Sequence, residues 1–123
     1  ATKSIVTSEN LVAGDYINIY NVSGTATARK ADATTAAAGK QAHGFVLNNV
    51  TSPAAATVYF EGANTAVTGL TPGLTYVLSH TTPGGVVALA SGTTTAGQIL
   101  QVVGVATAAT EIDTEIGSPV VRG

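Results

Sequence analysis

The sequence predicts an all-β protein, a compact single-domain β-barrel or β-sandwich with short hairpins and an extended N-terminal segment. Three observations carry that expectation. Short runs of β-prone residues recur every eight to twelve residues or so, separated by Gly, Pro, Asn and Ser clusters, which is the spacing of a small barrel or sandwich. Charged residues are only 10% of the 123 residues, well under the ~25% of an average globular chain, and Thr, Val and Ala take their place. The 14 Gly fit many tight turns between thin, closely packed strands.

The elements follow in order. Ser4 to Thr7 is a short β-prone run, and residues 1–10 are read as an N-terminal arm or edge strand ahead of a β-domain over 11–123. Glu9 to Gly14 connects to a strand from Asp15 to Asn21, in which Ile17 and Ile19 share one face and Tyr16, Asn18 and Tyr20 the other. That period of two marks a half-buried strand. The turn residues Asn21-Val-Ser-Gly24 lead into a returning strand, Thr25 to Ala31. Ala31 to Gln41 holds Thr34, Thr35 and Gly39, too many helix-weakening residues for a stable helix, and is read as a loop.

Further strands are expected over Gly44 to Val50, Ala56 to Glu61 and Ala63 to Val67. Thr71-Pro-Gly-Leu74 fits a type II turn, with Pro presetting φ at the second position and Gly accepting positive φ at the third, and Leu74 to Ser79 leaves it as a strand. Pro83-Gly84-Gly85 is a second turn, making a hairpin of Tyr76 to Ser79 and Val86 to Leu89. Gln98 to Ala106 is the most apolar run, read as one central strand covered on both faces, with Gly104 marking a close backbone approach or a bulge. The tail, Thr110 to Gly123, is read as an edge strand that pairs, if at all, with a neighbouring chain.

Several function classes are disfavoured by composition. There is no Cys, which excludes disulfides, thiolate metal sites and a Cys nucleophile. The five basic residues, Lys3, Arg29, Lys30, Lys40 and Arg122, are scattered in a chain of net charge −2, so no basic stripe awaits nucleic acid. No apolar run reaches the ~20 residues of a bilayer span, and no membrane partner is expected. His43 and His80 are the only groups suited to proton transfer near neutral pH, and neither stands in a Ser-Asp context or a ligand spacing. Glu111, Asp113 and Glu115 share one strand face and suit either a hard cation or a solvated edge that discourages strand addition. No phosphate-cradling Gly motif precedes a helix. No catalytic, cofactor or metal residue is therefore assigned, and the chain reads as a non-enzyme.

One resemblance covers most of the chain. In order, Ala13-Gly-Asp-Tyr-Ile-Asn-Ile-Tyr20, Ala28-Arg-Lys-Ala-Asp32, Ala42-His-Gly-Phe-Val46, Gly69-Leu-Thr-Pro-Gly73 with Tyr76-Val-Leu-Ser79, Pro83-Gly84 and Gln101-Val-Val-Gly-Val-Ala106 resemble small β-domain proteins of tailed bacteriophage virions, the capsid decoration (cement) proteins and head-fibre modules. The resemblance implies a structural protein on the outer surface of the virion. Such a protein binds the major capsid protein, bridges neighbouring capsid subunits and is commonly a homotrimer. It implies no cofactor. The alternative within the resemblance is a fibre module that binds a host receptor or glycan. The residues expected to contact the capsid or another protomer are Lys3, Ile5 and Val6 of the N-terminal arm, Tyr16 and Tyr20 on their strand face, the basic pair Arg29 and Lys30, and Val121 and Arg122 near the C-terminus.

Overall fold

A computed structural model of the chain describes residues 1–123, and the all-β expectation is borne out. Five strands, β1 (Thr2–Thr7), β2 (Tyr16–Val22), β3 (Thr25–Lys30), β4 (Gly44–Phe45) and β5 (Ala55–Tyr59), close a barrel in the order β1-β3-β2-β4-β5. Five of the remaining strands form a second sheet. These are β6 (Gly62–Asn64), β7 (Thr75–Leu78), β8 (Val86–Ala88), β10 (Val102–Ala108) and β11 (Glu111–Thr114), in the order β6-β11-β10-β7-β8. A two-stranded ribbon pairs β9 (Ile99–Leu100) with β12 (Val120–Val121). The only helical segments are 3₁₀ turns at Ala36–Ala38, inside the expected loop, and at Leu89–Ser91.

The N-terminal segment is not an arm, nor an edge strand. β1 pairs antiparallel with β5 from Thr2↔Tyr59 to Val6↔Ala55, and parallel with β3 at Val6↔Thr27 and Thr7↔Ala28. The physical reason is closure: a five-stranded sheet curls on itself only if its first stave finds partners on both sides, and a closed barrel has no edge. Ile5 supplies the apolar side chain for this, joining Leu11, Ile17, Ala28, Val46, Ala56 and Val58 in the barrel interior.

A second core lies between the barrel wall and the second sheet. Tyr16, Phe45, Ala31, Ala33 and Ala42 from the barrel side meet Leu70, Tyr76, Leu78, Val103, Ala106 and Ile112. Tyr16 and Phe45 rings sit 5.8 Å apart in a tilted arrangement, and Phe45 stacks on Tyr59 at 5.5 Å, geometries worth about 0.5–1.5 kcal/mol each beyond buried area. Tyr16 is fully buried, and its hydroxyl shares a 2.8 Å hydrogen bond with Thr114 Oγ1. The expectation that Tyr16 contacts the capsid or another protomer is corrected accordingly: the layer that covers it is the chain's own second sheet.

Both Pro-Gly turns form as expected. Leu74 N–H donates to Thr71 O at 3.2 Å with Gly73 at φ 88°, and Gly85 N–H donates to Thr82 O at 3.0 Å with Gly84 at φ 79°. Around the second turn β7 and β8 pair as Tyr76↔Ala88, Val77↔Val87 and Leu78↔Val86.

Three expectations change in detail. The run Gln98 to Ala106 is two strands, because Gln101 turns its side chain inward to bond the Ala42 N–H, the Ala42 carbonyl and the Gly117 carbonyl. β10 is central, between β7 and β11, but only one of its faces is fully covered, since Val105 is 42% exposed. At Gly104 both anticipated features occur. The register shifts between Val102 and Gly104, and a Cβ there would collide with the Asp113 carbonyl oxygen. In the tail, β11 lies inside the sheet between β6 and β10, and β12 pairs with β9 of the same chain. The strand expected over Gly44 to Val50 shortens to β4 plus a single bridge, Leu11↔Val50. That expected over Ala63 to Val67 ends at Asn64, whose side-chain amide turns in to donate to Gly14 O at 3.0 Å.

Two outcomes follow from this architecture. Deleting Ala1 to Thr7 removes a stave, and the truncated chain is expected to lose its cooperative unfolding transition in urea followed by circular dichroism; a transition with unchanged midpoint would contradict closure by β1. Gly104→Ala, forced against the Asp113 carbonyl, is expected to destabilise by about 1–3 kcal/mol in the same measurement, the range for overpacking a tight site.

Candidate functional site

One of the two histidines has its ring bound into the fold. His43 stands just before β4, where its backbone N–H donates to Ile17 O at 2.8 Å and its Nδ1 accepts the Ile19 N–H at 2.9 Å. The side chain therefore extends the pairing of β2 beyond the two residues of β4. Accepting through Nδ1 requires the neutral ring, and burial lowers the His43 pKa below the usual 6.5, which favours that same form. His80 is partly buried with Nδ1 unpartnered, and its carbonyl accepts from Thr34 Oγ1 at 3.2 Å. No group of three or more His, Asp or Glu side chains is placed to hold a metal ion, and Glu111 and Asp113 of β11 with Glu115 just after it form no such group.

The expected contact residues divide into those the fold consumes and those it displays. Ile5 is 4% exposed and Tyr16 is fully buried, so neither is available to a partner. Val6 is partly buried in β1, between β3 and β5. Lys3 is exposed, at the start of β1 opposite Val58. Lys30 faces Asp15 at 3.8 Å, the one ion pair in the molecule. Burial raises the Asp15 pKa, an effect opposed by the Val12 N–H and the Lys30 charge.

Tyr20 and Arg29 come together. The Arg29 guanidinium carbon lies 3.8 Å from the Tyr20 ring centroid, its Nε donates to Asn18 Oδ1 at 3.0 Å, and an Nη reaches the Ala38 carbonyl at 3.4 Å. The Tyr20 hydroxyl in turn donates to Ser8 Oγ at 2.8 Å. Adjacent antiparallel strands produce this pair: Asn18↔Arg29 and Tyr20↔Thr27 are opposite one another, leaving Tyr20 diagonal to Arg29 on the same outer face. The result is a half-exposed cation fixed on an aromatic plate. Rigid Arg and Tyr side chains of this kind supply much of the energy of protein interfaces.

At the C-terminus, Val120 and Val121 are the most exposed large apolar residues of the chain, at 59% and 58%. Arg122 is held in place, its Nε donating to Thr93 O at 2.6 Å, its N–H to Gln98 O and its carbonyl accepting the Gly97 N–H. β12 has one partner, β9, and its other edge is open.

Sequence reading missed two further surfaces. An open groove of about 480 Å³ runs between the barrel and the tail, lined with polar side chains including Gln41, His43, Glu61, Glu115 and Ser118. Exposed Leu74, Leu89 and Val105 lie on the second sheet and the turns beside it. A signal for the second was present: from Gly62 to Thr110 the chain holds no Asp, Glu, Lys or Arg, an unusual length of surface with no charge.

His43→Ala leaves the Ile19 N–H without its acceptor and is expected to destabilise by about 1–3 kcal/mol near pH 8. With a folded-state pKa below the unfolded value, His43 contributes stability that is fully present above about pH 6.5 and is lost as the pH falls through the folded value. Urea unfolding of both proteins from pH 8 to pH 5 is therefore expected to show their difference shrinking toward acid; a constant difference would refute the assignment of a neutral acceptor. Compared with known proteins, the chain matches no family model, no curated protein and no solved structure.

Proposed function

We propose that the chain is a non-enzymatic virion protein that sits on the outer surface of a phage capsid, binds the major capsid protein and stiffens the shell by bridging neighbouring subunits as a homotrimer. The ordered set of motifs from Ala13 to Ala106 supports the virion setting. The observation that carries the attachment is the open edge of β12: two exposed valines on a strand whose neighbour Arg122 is anchored by three hydrogen bonds. An edge strand of this kind can add to a sheet edge of the shell, with main-chain hydrogen bonds giving affinity and the valine side chains giving register. β12 replaces the N-terminal segment in this role, because β1 is committed to the barrel.

Bridging follows from number. Three copies joined in one assembly present three such strands, and once the first has bound, the others bind at high effective concentration, so modest individual contacts add to tight retention. Neither nucleic acid nor membrane enters this reading. A second reading, a fibre module binding a host glycan, draws on the polar groove beside His43, whose amide, carboxylate and hydroxyl side chains suit a hydroxyl-rich ligand.

Sedimentation with purified expanded and unexpanded phage heads tests the proposal. Stoichiometric co-sedimentation of the wild-type chain is expected, together with at least tenfold weaker retention of Val120→Asp/Val121→Asp, whose charges oppose docking of the strand without touching either core. Binding to bacterial cells and not to heads would replace this reading with the fibre one.

A further inference from the structure

The molecule carries a knob and a groove of matching chemistry on different sides. The knob is the Tyr20–Arg29 pair on the outer barrel wall, where the guanidinium is already oriented by Asn18 and the Tyr20 ring. The groove lies on the second sheet, an open depression of about 300 Å³ bordered by Val102, Val105 and Ile116 and by the carboxylates Asp113 and Glu115. Val105 is directly opposite Asp113 in the β10–β11 ladder. The bulge at Gly104 puts Val105 on the outer face, 42% exposed. An apolar floor beside two exposed carboxylates suits a planar cation stacked on an aromatic ring: the ring meets Val105 and Ile116 while the guanidinium meets the carboxylates.

We infer that copies of this chain associate head to tail, the Tyr20–Arg29 knob of one seated in the Val105–Asp113–Glu115 groove of the next. This rests on the self-assembly part of the reading above and names its interface. The occupant is a second copy because the two patches carry complementary groups: Arg29 stands over Tyr20 on one, and Asp113 and Glu115 border the other. The barrel half balances its four cations, Lys3, Arg29, Lys30 and Lys40, with four carboxylates, whereas from Gly62 onward three carboxylates accompany the single cation Arg122. The second sheet has no cation from Gly62 to Thr110 and bears Glu111 and Asp113 on β11, with Glu115 just after it. Because knob and groove are separate patches on separate layers, the contact is heterologous, and a heterologous contact closes into a ring when its rotation permits. The free edge of β12 is not part of it and stays open for another partner.

Charge reversal on each side, followed by mixing, tests the interface by native mass measurement and sedimentation velocity. The wild-type chain is expected to be oligomeric. Asp113→Arg/Glu115→Arg, which alters two exposed side chains and leaves the fold intact by circular dichroism, is expected to weaken association about 30-fold or more, the effect of opposing charges at a desolvated contact. Arg29→Glu is expected to do the same, and an equimolar mixture of the two variants to re-associate, since each restores the partner charge the other lacks. A monomeric wild-type chain, variants that assemble like wild type, or a mixture that remains monomeric would overturn the inference. Head sedimentation of the same samples separates the two readings. Heads that bind wild type while its assembly ignores the reversals retain the capsid reading and remove this interface. Assembly that follows the reversals without head binding does the opposite, and a wild-type chain that is monomeric alone but binds heads through Arg29 assigns the knob to an acidic capsid surface.

Discussion

Everything in this fold depends on β2 being buried on both faces. Ile17 points into the barrel and Tyr16 out of it, and both are fully buried. One strand thus supplies a side chain to each of two cores, and the Tyr16 hydroxyl reaches across to Thr114 on β11. Burial of the ring raises the Tyr16 pKa, keeping the phenol neutral so that it can take part in that bond without an uncompensated charge in the interior. The barrel and the second sheet are consequently not two domains joined by a linker but two layers sharing a wall, consistent with the small size of each.

Small residues make the shared wall thin. Ala31, Ala33 and Ala42 line it from the barrel side, and Gly44 lies against the Tyr59 carbonyl at a distance no Cβ would tolerate. Backbones therefore approach closely, and the bulky contribution is left to Tyr16, Phe45 and Tyr76. Where a gap in regular pairing opens, side-chain amides and a ring nitrogen close it: Gln101 bonds both backbone groups of Ala42, Asn64 the Gly14 carbonyl, and His43 the Ile19 N–H. Each is a polar group satisfying buried backbone that the short strands leave without a ladder partner.

What was legible in the sequence was local. Thr71-Pro-Gly-Leu and Thr82-Pro-Gly-Gly specify their turns by steric rules of four residues, and the hairpin of β7 and β8 follows from the second of them. The period of two located β2 and β3, and Gly104 announced its own tight contact. What was not legible was nonlocal. Ile5 and Val6 are the two apolar residues of an otherwise polar run, which suits an edge strand, and only the arrival of β5, some fifty residues later, makes β1 a stave. Tyr16 reads as an outward residue because a period of two distinguishes faces without saying what covers them. Among the expected contact residues, Tyr20 was named by its strand face and Arg29 as half of a basic pair, and their meeting on one face depends on the β2–β3 register. Val105 was concealed by the bulge that reverses its orientation, and the His43 acceptor role depends on a backbone N–H that no side-chain pattern encodes.

Barrel closure also orders the events of synthesis. All five staves lie between Thr2 and Tyr59, and the first stave pairs with the last. A chain emerging from the ribosome holds β1 unpaired on the β5 side until Tyr59 is free, then has every partner it needs while the second sheet is still unmade. The barrel is thus the part able to form first, presenting Tyr16 and Phe45 as an apolar surface on which β7, β10 and β11 are later laid down. The long uncharged stretch from Gly62 to Thr110 then emerges beside a ready template, which limits the time its apolar strands spend exposed to other chains.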